Sequence, residues 1–88
     1  MSYLDIFSQR LCELRKNERL KQKELADILH LSDGAISSME NGARGTSVDK
    51  LIEMAQYFHV STDYLVGLTD DPTPSKPRKK LPRLRPIE

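Results

Sequence analysis

Proline is missing from the first 71 residues of this 88-residue chain; all five prolines stand at position 72 or later. The first stretch is therefore free to be helical, whereas Pro72, Pro74, Pro77, Pro82 and Pro86 forbid a continuous helix after it. One cysteine, Cys12, excludes an internal disulfide. No apolar run approaches the roughly 18 residues of a membrane-spanning helix, and no basic-then-apolar leader opens the sequence. A soluble, cytoplasmic protein with no membrane partner is the expectation. The usual catalytic constellations are missing too. No cluster of cysteine or acidic ligands joins His30 or His59 at metal spacing, and no nucleophile has a matched base. The loop NGARG lacks the lysine and spacing of a phosphate-binding loop. Neither a cofactor, nor a metal, nor enzymatic activity is expected.

What is present divides by charge. Residues 1–71 carry eight Lys or Arg against twelve acids, a net charge of −4; residues 72–88 carry six against one, a net charge of +5. The overall charge of +1 conceals a mildly acidic domain over 1–70 and a basic, proline-rich tail over 71–88. The tail has too little apolar surface to fold and is expected to be disordered or extended. It reads as a solvated linker, as an arm adding phosphate contacts, or as a partner-binding segment with the PxxP spacing of Pro74 and Pro77. A domain of about 70 residues buries only about 60% of its unfolded surface, a limit that suits helices.

The periodicity predicts five of them. Ser2 to Asp5 forms a capping-box pattern opening a helix that runs to about Asn17, with Leu4, Phe7, Leu11 and Leu14 as its buried stripe and Arg10, Glu13 and Lys16 toward water. Between Gln22 and Gly42 no single helical period accommodates Leu25, Ala26, Ile28, Leu29, Leu31, Ala35, Ile36 and Met39; two helices meeting at an angle do. The break falls at His30 to Ser32. Ser32 caps the second of the two by accepting from an amide at Gly34 or Ala35, and Asn41 and Gly42 stop it. Ser47 caps a fourth helix with Val48, Leu51, Ile52, Ala55 and Phe58 as its apolar face. Ser61, with Asp63 in the first turn, caps a short fifth.

The order Gln22, Leu25-Ala26, Leu29, Leu31-Ser32, Ile36, Met39-Glu40 and Gly42 resembles the Cro and lambda-repressor type of helix-turn-helix, the XRE family, across roughly residues 4 to 68. The resemblance implies an all-α, five-helix DNA-binding domain with its motif at 22–42 and a recognition helix at about 33–41. The implied function is a sequence-specific transcriptional regulator of double-stranded DNA, a repressor of phage or mobile-element type, working in the cytoplasm on the nucleoid. Carried over by position, the base readers are Asp33, Gly34, Ser37 and Ser38. Asp33 can accept from a cytosine amino group, and the serines donate or accept. Phosphate contacts fall to Gln22 at the helix start, to Lys21 and Lys23 beside it, and to Asn41 and Arg44 beyond the recognition helix.

Such domains pair on inverted repeats with half-sites about 10 base pairs apart. Tyr64, Leu65, Val66 and Leu68 are the candidate homodimer contact. Three features depart from the family pattern. His30 stands where the turn usually has glycine, Thr46 where many relatives have proline, and the recognition helix carries Asp33 and Glu40 but no base. An antitoxin or regulatory subunit bound mainly to a protein partner, and a coactivator-like adapter, are the alternative classes. No second domain follows the helices, so an inducing signal is expected to act through a partner, proteolysis or concentration.

Overall fold

The computed structural model describes residues 2–74 as five helices: α1 (Tyr3–Asn17), α2 (Gln22–Leu29), α3 (Asp33–Glu40), α4 (Val48–Phe58) and α5 (Thr62–Val66). No strand occurs among the described residues. Four helices begin on a serine whose hydroxyl accepts an amide of the first turn: Ser2 from Asp5, Ser32 from Ala35, Ser47 from Lys50 and Ser61 from Tyr64. Asp5 returns the bond to the Ser2 amide, completing the capping box. α2 differs. Its cap, Lys21, offers no side-chain acceptor, although the Glu24 carboxylate accepts the Lys21 amide at 2.8 Å.

Three helices end on a left-handed residue. His30 closes α2 at φ 56° and His59 closes α4 at φ 58°, a conformation histidine tolerates better than branched residues do. Gly67 closes α5 at φ 86°, and a Cβ there would stand 2.7 Å from Ile6 of α1, so this turn requires glycine twice over.

The core forms where the apolar stripes converge. Leu11 of α1, Leu25, Ala26 and Leu29 of α2, Ile36 and Met39 of α3, Met54 of α4 and Leu65 of α5 are all buried. α3 lies between α1 and α2, and α5 packs on α1 and α4. Truncating one of the fully buried leucines to alanine removes about 2–5 kcal/mol in such a setting.

Three expectations need correction. α4 buries Met54, Ala55 and Phe58, with Leu51 half-buried, while Val48 and Ile52 are exposed. Val48 sits in the first turn, beyond the end of the core, and Ile52 lies on the edge of the buried arc. Arg10 does not face water. Its side chain is 15% exposed, stacks on the Tyr64 ring at 4.1 Å, donates to the Tyr64 and Thr69 carbonyls, and pairs with Asp70 at 2.7 Å. Leu65 is fully buried and presents no surface to a partner molecule.

Arg10 also ties down the chain that leaves α5. The Ser61 amide donates to the Pro72 carbonyl at 3.2 Å, so residues 69–72 return across the start of α5. Residues 75–88, which hold most of the expected basic tail, lie outside the described residues.

Candidate nucleic-acid interface

The outward face of α3 follows from its inward one. At about 100° per residue, the buried Ala35, Ile36 and Met39 occupy one arc, and the direction opposite falls between Gly34 and Ser37, flanked by Asp33 and Ser38. The four candidate readers therefore share one face. Asp33 and Gly34 are exposed; Ser37 and Ser38 are half-buried. This face carries a single charge, the Asp33 carboxylate.

The other acid of α3 is withdrawn from the surface. The Glu40 side chain is 4% exposed and receives the Arg15 guanidinium on both oxygens, Nε at 2.6 Å and Nη2 at 2.9 Å. Gln22 Nε2 adds a third donor at 3.1 Å, and Arg15 Nη1 reaches the Leu20 carbonyl at 2.7 Å. Burial pushes the Glu40 carboxyl up, but the bonds from Arg15 and Gln22 and the Arg15 charge outweigh it and hold the group below its ordinary range. The bond to Glu40 raises Arg15 against the opposing effect of burial. One ion pair thus joins α1, the start of α2 and the end of α3. The acidity expected of the recognition helix is halved.

This arrangement changes what Gln22 offers. Its side-chain amide is engaged with Glu40, which leaves the backbone amides of the first α2 turn as the donors directed outward. Lys21 and Lys23 flank that turn, Asn41 and Arg44 follow α3, and all four are exposed. No ion pair among the described residues engages Lys21, Lys23 or Arg44. Lys50 is spent within the fold, donating to the Leu29 carbonyl at 2.6 Å at the end of α2.

Of the candidate dimer residues, Leu68 is 61% exposed, while Tyr64 and Val66 are half-buried. Sequence reasoning missed the exposed Tyr3, Val48, Ile52 and Tyr57, and the Arg10 and Arg15 clamps. Nothing in the periodicity signals the clamps, because a charge on a helix reads as solvent-facing. A cleft of about 350 Å³ between α4 and the returning chain, lined by Ile52, Gln56, His59, Thr62 and Pro74 among others, holds none of the candidate readers.

Comparison with known proteins adds four findings. A family model described as helix-turn-helix matches residues 13–65. The HTH-type transcriptional regulator YobD of Bacillus subtilis is 37% identical over 76 residues, covering 86% of this chain and 68% of that protein. ImmR, an HTH-type transcriptional regulator of the same organism, is 36% identical over 59 residues, covering 67% of this chain and 46% of its own length. Among solved structures, the restriction-modification controller protein C.AhdI from Aeromonas hydrophila superposes with a TM-score of 0.63 at 31% identity, over 70% of this chain and 94% of that one.

Proposed function

This chain belongs to the XRE-type helix-turn-helix family of transcriptional regulators, and from that premise we propose that it acts as a repressor, binding an inverted-repeat operator as a homodimer. The observation that carries the reading is the outward face of α3, where Asp33, Gly34, Ser37 and Ser38 stand together at the end of a capped helix. In this reading α3 enters the major groove and these four residues meet base edges. Lys21, the α2 amides at Gln22, Lys23, Asn41 and Arg44 hold the phosphates on either side and set the register. With its one charge negative, the reading face supplies discrimination and little attraction. Attraction comes from the basic rim and from pairing of two subunits.

The likeness to ImmR, an HTH-type transcriptional regulator, and to a restriction-modification controller protein supports a regulatory role. Pairing is assigned to the surface around Leu68, with Tyr64 and Val66 at its edge. The basic residues after position 74 are available as an additional phosphate arm, with a protein partner as the second use. The protein works on the nucleoid in the cytoplasm; no helix among the described residues is long and apolar enough to cross a membrane.

A gel shift against DNA upstream of the protein's own gene, with competitor of random sequence, tests the proposal. If each subunit neutralises about three phosphates, log affinity falls with log salt at a slope near −5 for the dimer. Retention that competitor abolishes, or a slope near zero, refutes it.

A further inference from the structure

Gly45, in the loop after α3, would bring a Cβ only into ordinary contact with Leu4 at 3.6 Å. Gly42 and Gly67 adopt φ 77° and 86°, so each has a backbone reason inside the fold. Gly34 has none. It lies in the first turn of α3 with an ordinary helical backbone, and outside the helix backbone an added Cβ would meet only Ser32 Oγ, at 4.0 Å. Alanine would fit there and favour the helix, because glycine is the poorest helix former after proline. The fold is thus less stable with Gly34 than it need be, and Gly34 lies beside the centre of the outward face.

We propose that Gly34 is a specificity-determining residue. Its missing side chain opens a notch in the reading face, bounded by Ser37 one turn later, that seats the 5-methyl group of a thymine. The thymine methyl is the apolar group that unmodified DNA displays in the major groove, and the thymine O4 beside it is an acceptor. The methyl lies against the Gly34 methylene while the Ser37 hydroxyl donates to O4. A Cβ at position 34 would occupy the methyl's place and hold the helix away from the base. Asp33, on the flank, takes an amino donor from a neighbouring base, cytosine N4 or adenine N6. The inference rests on the DNA-reading proposal and deepens it by naming the base at the centre of the face.

The test uses the full chain and a site obtained by in vitro selection of bound DNA. Each thymine of that site is replaced by uracil in turn, which deletes only the methyl group. One position per half-site is expected to weaken wild-type binding about fourfold, the effect of one buried methyl. Gly34→Ala is expected to melt at or above the wild-type temperature, to bind the selected site at least about tenfold more weakly, and to lose its response to uracil at that position. Uracil without effect at every position overturns the notch, as does a Gly34→Ala protein that binds as tightly as wild type. A Gly34→Ala protein that melts below wild type also overturns it, by showing that the fold requires the glycine. Failure to enrich any sequence would instead sink the DNA-reading proposal beneath it.

Discussion

Replacing Glu40 by alanine would leave the Arg15 guanidinium, 12% exposed, without its anion, and would strip Gln22 of its acceptor. Removing one partner of a buried pair costs about 3–5 kcal/mol, because the remaining charge is uncompensated. Arg15 keeps the Leu20 carbonyl and has some access to water, which favours the lower figure, about 3 kcal/mol. For a domain of this size that corresponds to a fall of roughly 12–24 °C in melting temperature, at about 4–8 °C per kcal/mol. Urea unfolding followed by circular dichroism measures it directly, and the slope with urea should be unchanged. The double variant Arg15→Met/Glu40→Leu, which exchanges the pair for apolar contacts, should recover most of the loss. pH supplies an independent arm. The unfolded Glu40 carboxyl takes up its proton near pH 4.3, at about the ordinary glutamate value, and the folded one only at lower pH. Between those points the unfolded chain binds more protons, so the pair's contribution is complete above the window and disappears as pH falls through it. Wild type and Glu40→Ala should therefore converge in stability on acidification. A loss under about 1 kcal/mol at neutral pH, or a double variant no better than either single one, refutes the reasoning.

Gly67→Ala should destabilise the domain by more than about 1 kcal/mol, since the new Cβ meets Ile6 at 2.7 Å in a left-handed turn; an unchanged urea midpoint would contradict this. Lys21→Ala and Arg44→Ala should weaken operator binding to all sequences alike and flatten the salt slope by about 1 per phosphate contact in each subunit; altered base preference would place these residues in the groove instead. Leu68→Asp should leave the melting of the isolated domain nearly unchanged while shifting sedimentation from dimer to monomer. A Leu68→Asp dimer would move the pairing surface elsewhere.

The caps were the most legible part of the fold. Ser2, Ser32, Ser47 and Ser61 mark four helix starts because a hydroxyl there satisfies a particular amide, a bond local in sequence. The break at His30 was legible for the same reason. The buried face of α4 was less so: apolar residues cover more of its circumference than the core can reach, and Met54, left out of the expected face, is buried while Ile52, counted in it, is exposed. Arg10 and Arg15 could not be read at all, since their partners stand up to 60 residues away and periodicity counts any charge as exposed. For the site, the spacing of α3 sufficed to bring Asp33, Gly34, Ser37 and Ser38 onto one face. It could not show that Glu40 turns inward or that Gln22 is held by it.

The Arg15 clamp makes the motif's frame and its surface separable. Positions 15, 22 and 40 are bound to one another, so a change at any one demands changes at the others, whereas 33, 34, 37 and 38 make few commitments to the fold. The domain is for that reason a chassis for transplanted specificity. Four outward residues taken from another reader of this kind could be grafted onto α3 with the angle between α2 and α3 preserved.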